Sequence, residues 1–325
     1  MILAADVGGT KTLMALFDKA SGDWHCVKKQ KFASSAYAEF KQVLAEFLAD
    51  QSAVAVSSAC IGVAGPVIDG RCDATNLPWT LDTQEITQSL GTDKVWLLND
   101  LEATAWGLLS LPEQDFVELN PKALQHPGNK AVLAAGTGLG EAIIASIDGG
   151  KRYHVIATEG GHCDFAPTRP KEIALLEFLI NRYGGHVSYE RVVSGEGLPN
   201  IYHFLTQNTP VAGQEQLLTD DMAAVITQAA LQDKDPKCIE ALTFFCRIYG
   251  AEAGNLALKC LPFGGLYLAG GIAAKILPFL QTSQFMDGFL DKGRYHAVLR
   301  PISVKVCINQ EAALTGAFEY AVKML

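Results

Sequence analysis

The sequence predicts an α/β protein of two domains, the second a structural repeat of the first. Three observations carry that expectation. The chain has 325 residues, more than one hydrophobic core usually serves. Short apolar strands alternate with helix-spaced segments along most of its length. One pattern, an apolar strand, a glycine turn and a returning apolar strand, occurs twice, as Ile2–Phe17 (ILAADVGGTKTLMALF) and Val132–Ile147 (VLAAGTGLGEAIIASI). Set one beneath the other, Gly8 falls on Gly138, Ala15 on Ala145 and Asp6 on Gly136. One glycine turn alone signifies little, because such turns are common. The matched pair signifies a duplicated half, with a cleft between the halves.

In order, the first strand is Ile2–Ala5, the turn is Gly8-Gly9-Thr10 and the returning strand is Leu13–Phe17. A turn at Asp18–Asp23 leads to a third strand, Trp24–Lys31. Tyr37, Phe40, Val43, Leu44, Phe47 and Leu48 have helical spacing, which predicts a helix over Tyr37–Ala49. A strand over Ser52–Val63 runs into Ala64-Gly65-Pro66, and Val67–Ala74 reads as extended and turn-rich. Thr75–Trp79 is a loop, and Asp82 caps a short helix to Leu90. Val95–Leu98 is a buried strand, and a helix over Leu101–Leu109 follows Asn99-Asp100. Pro112, Pro121 and Pro127 weaken the pattern over Leu111–Asn129, where the chain is expected to cross between domains. The second hairpin and a strand at Tyr153–Ala157 come next, and Ser188–Val193 follows a helix at Lys171–Tyr183. Helices are expected at Gly197–Leu205, Thr219–Leu231 and Pro236–Cys260. Strands Leu266–Ala269 and Ser303–Ile308 and a helix Glu311–Lys323 close the chain. The expected division is a small α/β domain of residues 1–110 and 300–325 and a large one of 111–299.

Composition excludes several classes. Apolar residues make up 49% and charged residues 19%, a compact enzyme rather than a disordered chain. The net charge is −9, and no Lys/Arg cluster offers a nucleic-acid surface. An acidic protein that binds phosphates must do so locally, with backbone N–H groups and a metal. None of the 8 cysteines forms a C-x-x-C pair, so each reads as a small buried apolar residue. Asp6 interrupts the apolar opening and no basic n-region precedes it, so it does not read as a signal peptide. No apolar run is long enough to span a bilayer, and the expected location is a reducing cytoplasm.

Several residues suit chemistry. Glycines at 8 and 9 let the backbone approach a ligand and take positive φ, and outward N–H groups there make a nest for an anion. Asp6 brings the opposite charge to the same place, as a cation between carboxylate and phosphate would require. Asn99-Asp100 stands where a strand ends and a helix begins, the place where ligands of open α/β sheets collect. An N-cap is the commoner role for such an acid. A helix N-terminus also keeps a carboxylate ionised, and an ionised Asp can take a proton from a sugar hydroxyl attacking phosphorus. Glu159-Gly160-Gly161-His162 sets an acceptor and a donor on one short loop, enough to grip adjacent hydroxyls, though a local ion pair is the commoner arrangement. Glu190 alone reads as a surface acid. Gly270-Gly271 either ends a strand or approaches an adenine ring.

Together these residues resemble the bacterial glucokinase family, within the hexokinase/actin/Hsp70-like ATPases of duplicated ribonuclease-H-like topology. The resemblance covers Asp6-Val7-Gly8-Gly9-Thr10, Thr75-Asn76-Leu77-Pro78-Trp79, Asn99-Asp100, Gly136-Thr137-Gly138-Leu139-Gly140, Glu159–His162, Ser188–Gly195 and Ala269–Ile272. It implies ATP-dependent phosphorylation of D-glucose to glucose 6-phosphate. In that scheme Asp6, Val7, Gly8, Gly9, Thr10 and Lys11 from one side, and Gly136, Thr137 and Gly138 from the other, hold ATP. Gly270 and Gly271 lie against the adenosine. Asp6 orients Mg2+ through water. Asn76, Asn99, Asp100, Gly138, Glu159, His162 and Glu190 bind glucose, with Asp100 the base for its 6-hydroxyl. Domain closure excludes water. The family is usually homodimeric.

The chain departs from that pattern at Lys11, where close relatives often have Asn. Unlike the repressor/open-reading-frame/kinase (ROK) sugar kinases, it has no Cys cluster after Gly161-His162, so no structural zinc is expected. It begins on its first strand, which leaves no room for a DNA-binding helix-turn-helix. A kinase for another hexose or amino sugar, a catalytically silent sugar sensor and a polyphosphate donor stay open at this point. ATP is favoured as donor because no basic channel is evident. Cys163, beside the expected sugar site, would be a target for alkylation that glucose blocks.

Overall fold

The computed structural model describes residues 1–51, 55–75, 77–207 and 222–325. They divide into two compact units, Met1–Glu113 with Asn309–Leu325, and Gln114–Ile308. In the first unit, β1 (Ile2–Val7), β2 (Lys11–Ala20) and β3 (Asp23–Ala33) form an antiparallel meander. Helix α1 (Phe40–Leu48) precedes β4 (Ser58–Val63), which lies parallel to β1. A small hairpin, β5 (Arg71–Asp73) and β6 (Thr80–Asp82), leads through α2 (Thr83–Leu90) to β7 (Val95–Asn99), parallel to β4, and then to α3 (Asp100–Leu108). The sheet order is β3-β2-β1-β4-β7.

Side-chain alternation along β1 explains the two cores of this unit. Leu3, Ala5 and Val7 face a layer with Phe40, Val43 and Phe47 of α1. Ile2 and Ala4 face another, with Ala103 of α3 and Leu314, Ala317 and Ala321 of the chain's last helix, Ala312–Lys323. Every residue of β4 is buried, as expected of a central parallel strand covered on both faces. The two helices meet backbone to backbone: a Cβ on Gly107 would strike the carbonyl of Ala312, and one on Gly316 the carbonyl of Ala103.

In the second unit, β8 (Phe116–Glu118) precedes the hairpin β9 (Lys130–Ala135) and β10 (Leu139–Ile147), which β11 (Arg152–Thr158) extends. Helices α4 (Pro170–Tyr183), α5 (Gly197–Thr206), α6 (Met222–Leu231) and α7 (Pro236–Cys260) follow. Strand β12 (Leu266–Ala269), helices α8 (Gly270–Lys275), α9 (Leu277–Leu280), α10 (Ser283–Leu290) and α11 (His296–Leu299), and strand β13 (Val304–Cys307) complete it. The sheet order is β11-β10-β9-β12-β13-β8. Its first five strands repeat β3-β2-β1-β4-β7 with the same senses, antiparallel twice and then parallel twice. Strand β8 is an added antiparallel edge. The duplicated α/β topology is therefore present.

The structure corrects the sequence reading in several places. Strand for strand, β1 matches β9, so Gly8 falls on Gly136 and Asp6 on Ala134, two residues away from the frame that glycine identity favoured. Strand pairing sets that frame, and identity within a short turn does not. Neither Gly8 nor Gly9 takes a positive φ. At Gly8 the requirement is space, since a Cβ would lie 3.3 Å from the Lys11 carbonyl oxygen. The turn at Asp18–Asp23 is shorter than expected because β2 runs on to Ala20. Strand β8 and helices α8 to α11 were not foreseen. The strand expected from Ser52 begins at Ser58, with residues 52–54 outside the described set, as are 219–221 ahead of α6.

Candidate active site

The residues singled out above fall into two groups, one on each unit. On the first unit, Asp6 is the penultimate residue of β1, paired with Leu13 of β2 and Gly62 of β4. The turn after it closes with Gly8 N–H donating to Lys11 O at 2.9 Å. Ser34, fully buried, braces this turn: its Oγ donates to Gly8 O at 2.7 Å, its N–H to Thr10 O at 3.2 Å, and it lies 3.0 Å from Thr12 Oγ1. Ser34 escaped the sequence reading because its partners stand some twenty residues earlier and nothing local marks it.

Two strands away, Asn99 is the cap of α3 and Asp100 its first residue, which reverses the capping role expected of Asp100. Asn99 Oδ1 accepts from Leu101 N at 2.9 Å, and its Nδ2 donates to Gly65 O at 3.1 Å, fixing the loop after β4. Gly65 has φ +146 and no room for a Cβ, which would meet Cys72 Sγ at 2.9 Å. With Asn99 capping, Asp100 keeps its carboxylate at the positive end of α3, where Oδ1 accepts from Leu101 N at 2.9 Å. The Asp100 charge reaches Asp6. Burial first, and Asp100 second, raise Asp6 from its usual value to about 6, while Lys11 acts the other way. Asn76 lies outside the described residues.

Asp6 before the glycine turn, with the Asp100 charge reaching it and Lys11 beside it, suits a hard divalent cation. Mg2+ is usually held by one or two carboxylates together with phosphate oxygens and water, not by an all-protein cage. Among the described residues no group of three or more His, Cys, Asp or Glu stands close enough to hold a metal ion.

On the second unit, the turn Gly136-Thr137-Gly138 joins β9 to β10, with Gly136 N–H donating to Gly138 O at 2.9 Å. Glu190 sits on a short helical turn, Tyr189–Arg191, and its Oε2 accepts from Leu139 N at 2.9 Å. A Cβ on Gly138 would overlap that carboxylate. Ser194 ties the same segment to α5, donating to Glu190 O at 2.6 Å and accepting from Gly197 N at 3.1 Å. Gly195 N–H closes onto Gly136 O at 2.8 Å. Glu190 is thus bonded to the glycine turn and is not a free surface acid. Glu159 and His162 are exposed on the turn after β11, which packs against Tyr189–Arg191. Gly161 lies flat on β10, where a Cβ would strike Leu139 O. Gly270, at φ +84, stands over the end of β9, where a Cβ would strike Ala135 O, whereas Gly271 faces open space.

These contacts make Gly138→Ala informative. The added methyl must displace the Glu190 carboxylate from Leu139 N–H, so the turn loses that brace and Tm is expected to fall by a few degrees. A melting curve of the variant beside the native protein reads it, and an unchanged Tm would show that the bond to Leu139 N–H contributes little.

Two mixed sheets of one repeated topology, each with a glycine turn closing its first hairpin, define the actin-like ATPase fold. The family model described as Glucokinase matches residues 3–324. The chain is 41% identical over 341 residues to the glucokinase of Synechocystis sp., covering 97% of this chain and 96% of that protein. It is 36% identical over 319 residues to the glucokinase of Tolumonas auensis, covering 98% and 96%. Among solved structures, glucokinase from an Antarctic psychrotroph superposes with a TM-score of 0.84 at 27% identity, covering 99% of this chain and 98% of that one. The glucokinase of Balamuthia mandrillaris, solved with glucose, gives 0.80 at 26% identity, covering 99% and 93%. The chain belongs to the glucokinase family and is an enzyme of that kind.

Proposed function

We propose that this protein transfers the γ-phosphoryl group of ATP to the 6-hydroxyl of D-glucose. The observation that carries this reading is Asp100, held by its own helix at the carboxyl end of β7 with its charge reaching Asp6. As the 6-oxygen attacks the γ-phosphorus, the bond from phosphorus to the ADP oxygen breaks and the hydroxyl proton passes to the Asp100 carboxylate. The transition state is loose and the proton leaves late, so an acid of ordinary basicity suffices if it is well placed. Asp6 would hold Mg2+ through water, and the ion supplies charge neutralisation on the phosphates. The Gly8–Lys11 and Gly136–Gly138 turns offer backbone N–H groups to phosphate, and Gly270 with Gly271 offers a flat approach to adenosine. Asn76, Asn99, Glu159, His162 and Glu190 bind sugar hydroxyls, with Gly138 beside them. The same reading carries a cytoplasmic homodimer acting at the entry of glucose into glycolysis. Among the described residues no helix is long and apolar enough to cross a membrane.

Phosphorus NMR of the product tests the reaction. An ester signal coupled to the two protons at carbon 6 is expected. Release of inorganic phosphate with no ester would overturn the assignment.

Asp6 gives a pH prediction. Because folding raises its pKa from 3.8 to about 6, the fold favours protonated Asp6, so stability is lost as pH rises through that window and the loss stays constant above it. Asp6→Asn is therefore expected to raise Tm in metal-free buffer at about pH 8, with the gain fading below about pH 6 and absent by about pH 4. The same variant should lose activity with Mg-ATP. An equal gain at every pH would contradict the account.

Cys163 and Cys26 are the exposed thiols, and Cys163 adjoins His162. Alkylation is expected to abolish activity, with protection by glucose and resistance in Cys163→Ser. Full activity after verified modification of Cys163 removes the idea.

A further inference from the structure

Beneath the Glu159–His162 turn lies a pair of buried acids for which the reaction itself has no use. Glu141 on β10 and Glu252 on α7 are 1% and 0% exposed. One oxygen of each, Oε1, has no hydrogen-bond donor. Two neighbouring buried carboxylates repel strongly, whereas one proton shared between them removes the repulsion and supplies a donor where both acids lack one. The surrounding groups decide where it resides. Glu252 accepts from Asn255 Nδ2 at 2.8 Å and lies 3.8 Å from Lys259 Nζ. Its negative charge is also favoured by Lys292, which itself feels Asp291, Glu172 and Arg247. Glu141 faces Glu252, Lys259 and the Cys260 thiol, and has no such set of donors. These neighbours favour the charge on Glu252 and the proton on Glu141. Burial first, and the Glu252 charge second, push its carboxyl well above the ordinary range.

This pair underlies both turns assigned to sugar. Gly160 sits directly on Glu141, since a Cβ there would overlap Oε2 and lie 3.1 Å from the Glu141 Cβ. Thr158 Oγ1 donates to Glu141 O at 2.8 Å and accepts from Gly160 N at 3.2 Å. On the other side, Asn255 Nδ2 donates to Tyr189 OH at 2.9 Å, and Tyr189 directly precedes Glu190. Lys292 Nζ donates to Asn255 Oδ1 at 2.7 Å and completes the network.

We propose that Glu141 is a positioning residue for sugar binding, sharing one proton with Glu252 so that the Glu159–His162 and Glu190 turns hold their shape only while that proton is present. The proposal rests on the reading of those turns as the sugar site. Loss of the proton in alkaline solution leaves two charges under Gly160 and loosens the turn above them.

The test is the pH profile of KM for glucose, KM for ATP and kcat from about pH 6 to about pH 9.5, on the full chain. Native protein is expected to show sugar KM rising about tenfold at the alkaline end, with ATP KM and kcat little changed. Glu141→Gln, a neutral donor of the same shape, should keep the low KM and flatten the profile. Glu252→Gln removes the same second charge and should also flatten it, so failure of either variant to fold leaves the other to decide. An alkaline rise that persists in both variants, or that appears equally in ATP KM, overturns the proposal. Glu159→Ala separates the two claims: an unchanged sugar KM there refutes the sugar-site reading itself, whatever Glu141 does.

Discussion

Asp100→Asn is expected to lower kcat by about 10²–10⁴ while KM for glucose and Tm stay close to those of the native protein. The substitution is conservative in every respect except basicity. An asparagine oxygen still accepts from Leu101 N–H, the bond that Asp100 Oδ1 makes at 2.9 Å. Asn99 remains the cap of α3 and still ties Gly65, so the helix start is kept. What disappears is the carboxylate proposed to take the proton and the negative charge that reaches Asp6. A kcat loss with KM preserved marks an interaction made only in the transition state. A loss confined to KM would show Asp100 to be a sugar ligand without base function, and near-native kcat would remove it from the mechanism.

The largest effect on stability is expected at Arg247. This residue lies midway along α7 and is 5% exposed, with the 3% exposed Glu172 as partner. Its Nε donates to Glu172 Oε1 at 3.2 Å and its Nη2 to Asp291 Oδ2 at 2.8 Å. Glu172 in turn accepts from the backbone N–H groups of Thr168 and Arg169 with its other oxygen, at 2.7 and 3.1 Å, and so starts α4. One guanidinium therefore joins α4, α7 and the residue after α10. Arg247→Met leaves a carboxylate buried without its cation, a change that costs about 3–5 kcal/mol. For a unit of this size the Tm should fall by roughly 10 °C. The double variant Arg247→Met with Glu172→Gln is expected to recover a large part of the loss, because the orphan charge is gone. A single-variant loss below about 1 kcal/mol would show the pair to be solvated.

What the sequence disclosed and what it hid follow from the range of the interactions concerned. Helix α7 was legible to the residue, since Asp235 caps it by accepting from Lys237 and Cys238 N–H, and Pro236 suits a first turn. Strand β12 was equally plain, four apolar residues ended by Gly270. The helices between Gly270 and Leu299 were hidden because each is short, and Pro278, Gly288 and Gly293 break their periodicity. The duplication was visible in the glycine turns, but its frame was misplaced by two residues. In the site, Asp6, Asn99 and Asp100 stood out because strand ends are where chemistry collects. Ser34 and the Glu141–Glu252 pair did not, since their roles come from neighbours far away in sequence. Glu141 did leave one local trace, an acid at an inward position of the otherwise apolar strand LGEAIIASI.

The most direct test of the central claim is ADP production with Mg-ATP, coupled to a dehydrogenase, against glucose, mannose, galactose, fructose, N-acetylglucosamine and N-acetylmannosamine. The account predicts turnover with a clear preference for glucose and none without Mg2+. Preference for another hexose or an amino sugar would contradict the substrate. No turnover with any sugar, from folded protein that still binds glucose by calorimetry, would contradict the kinase reading and leave a sugar sensor.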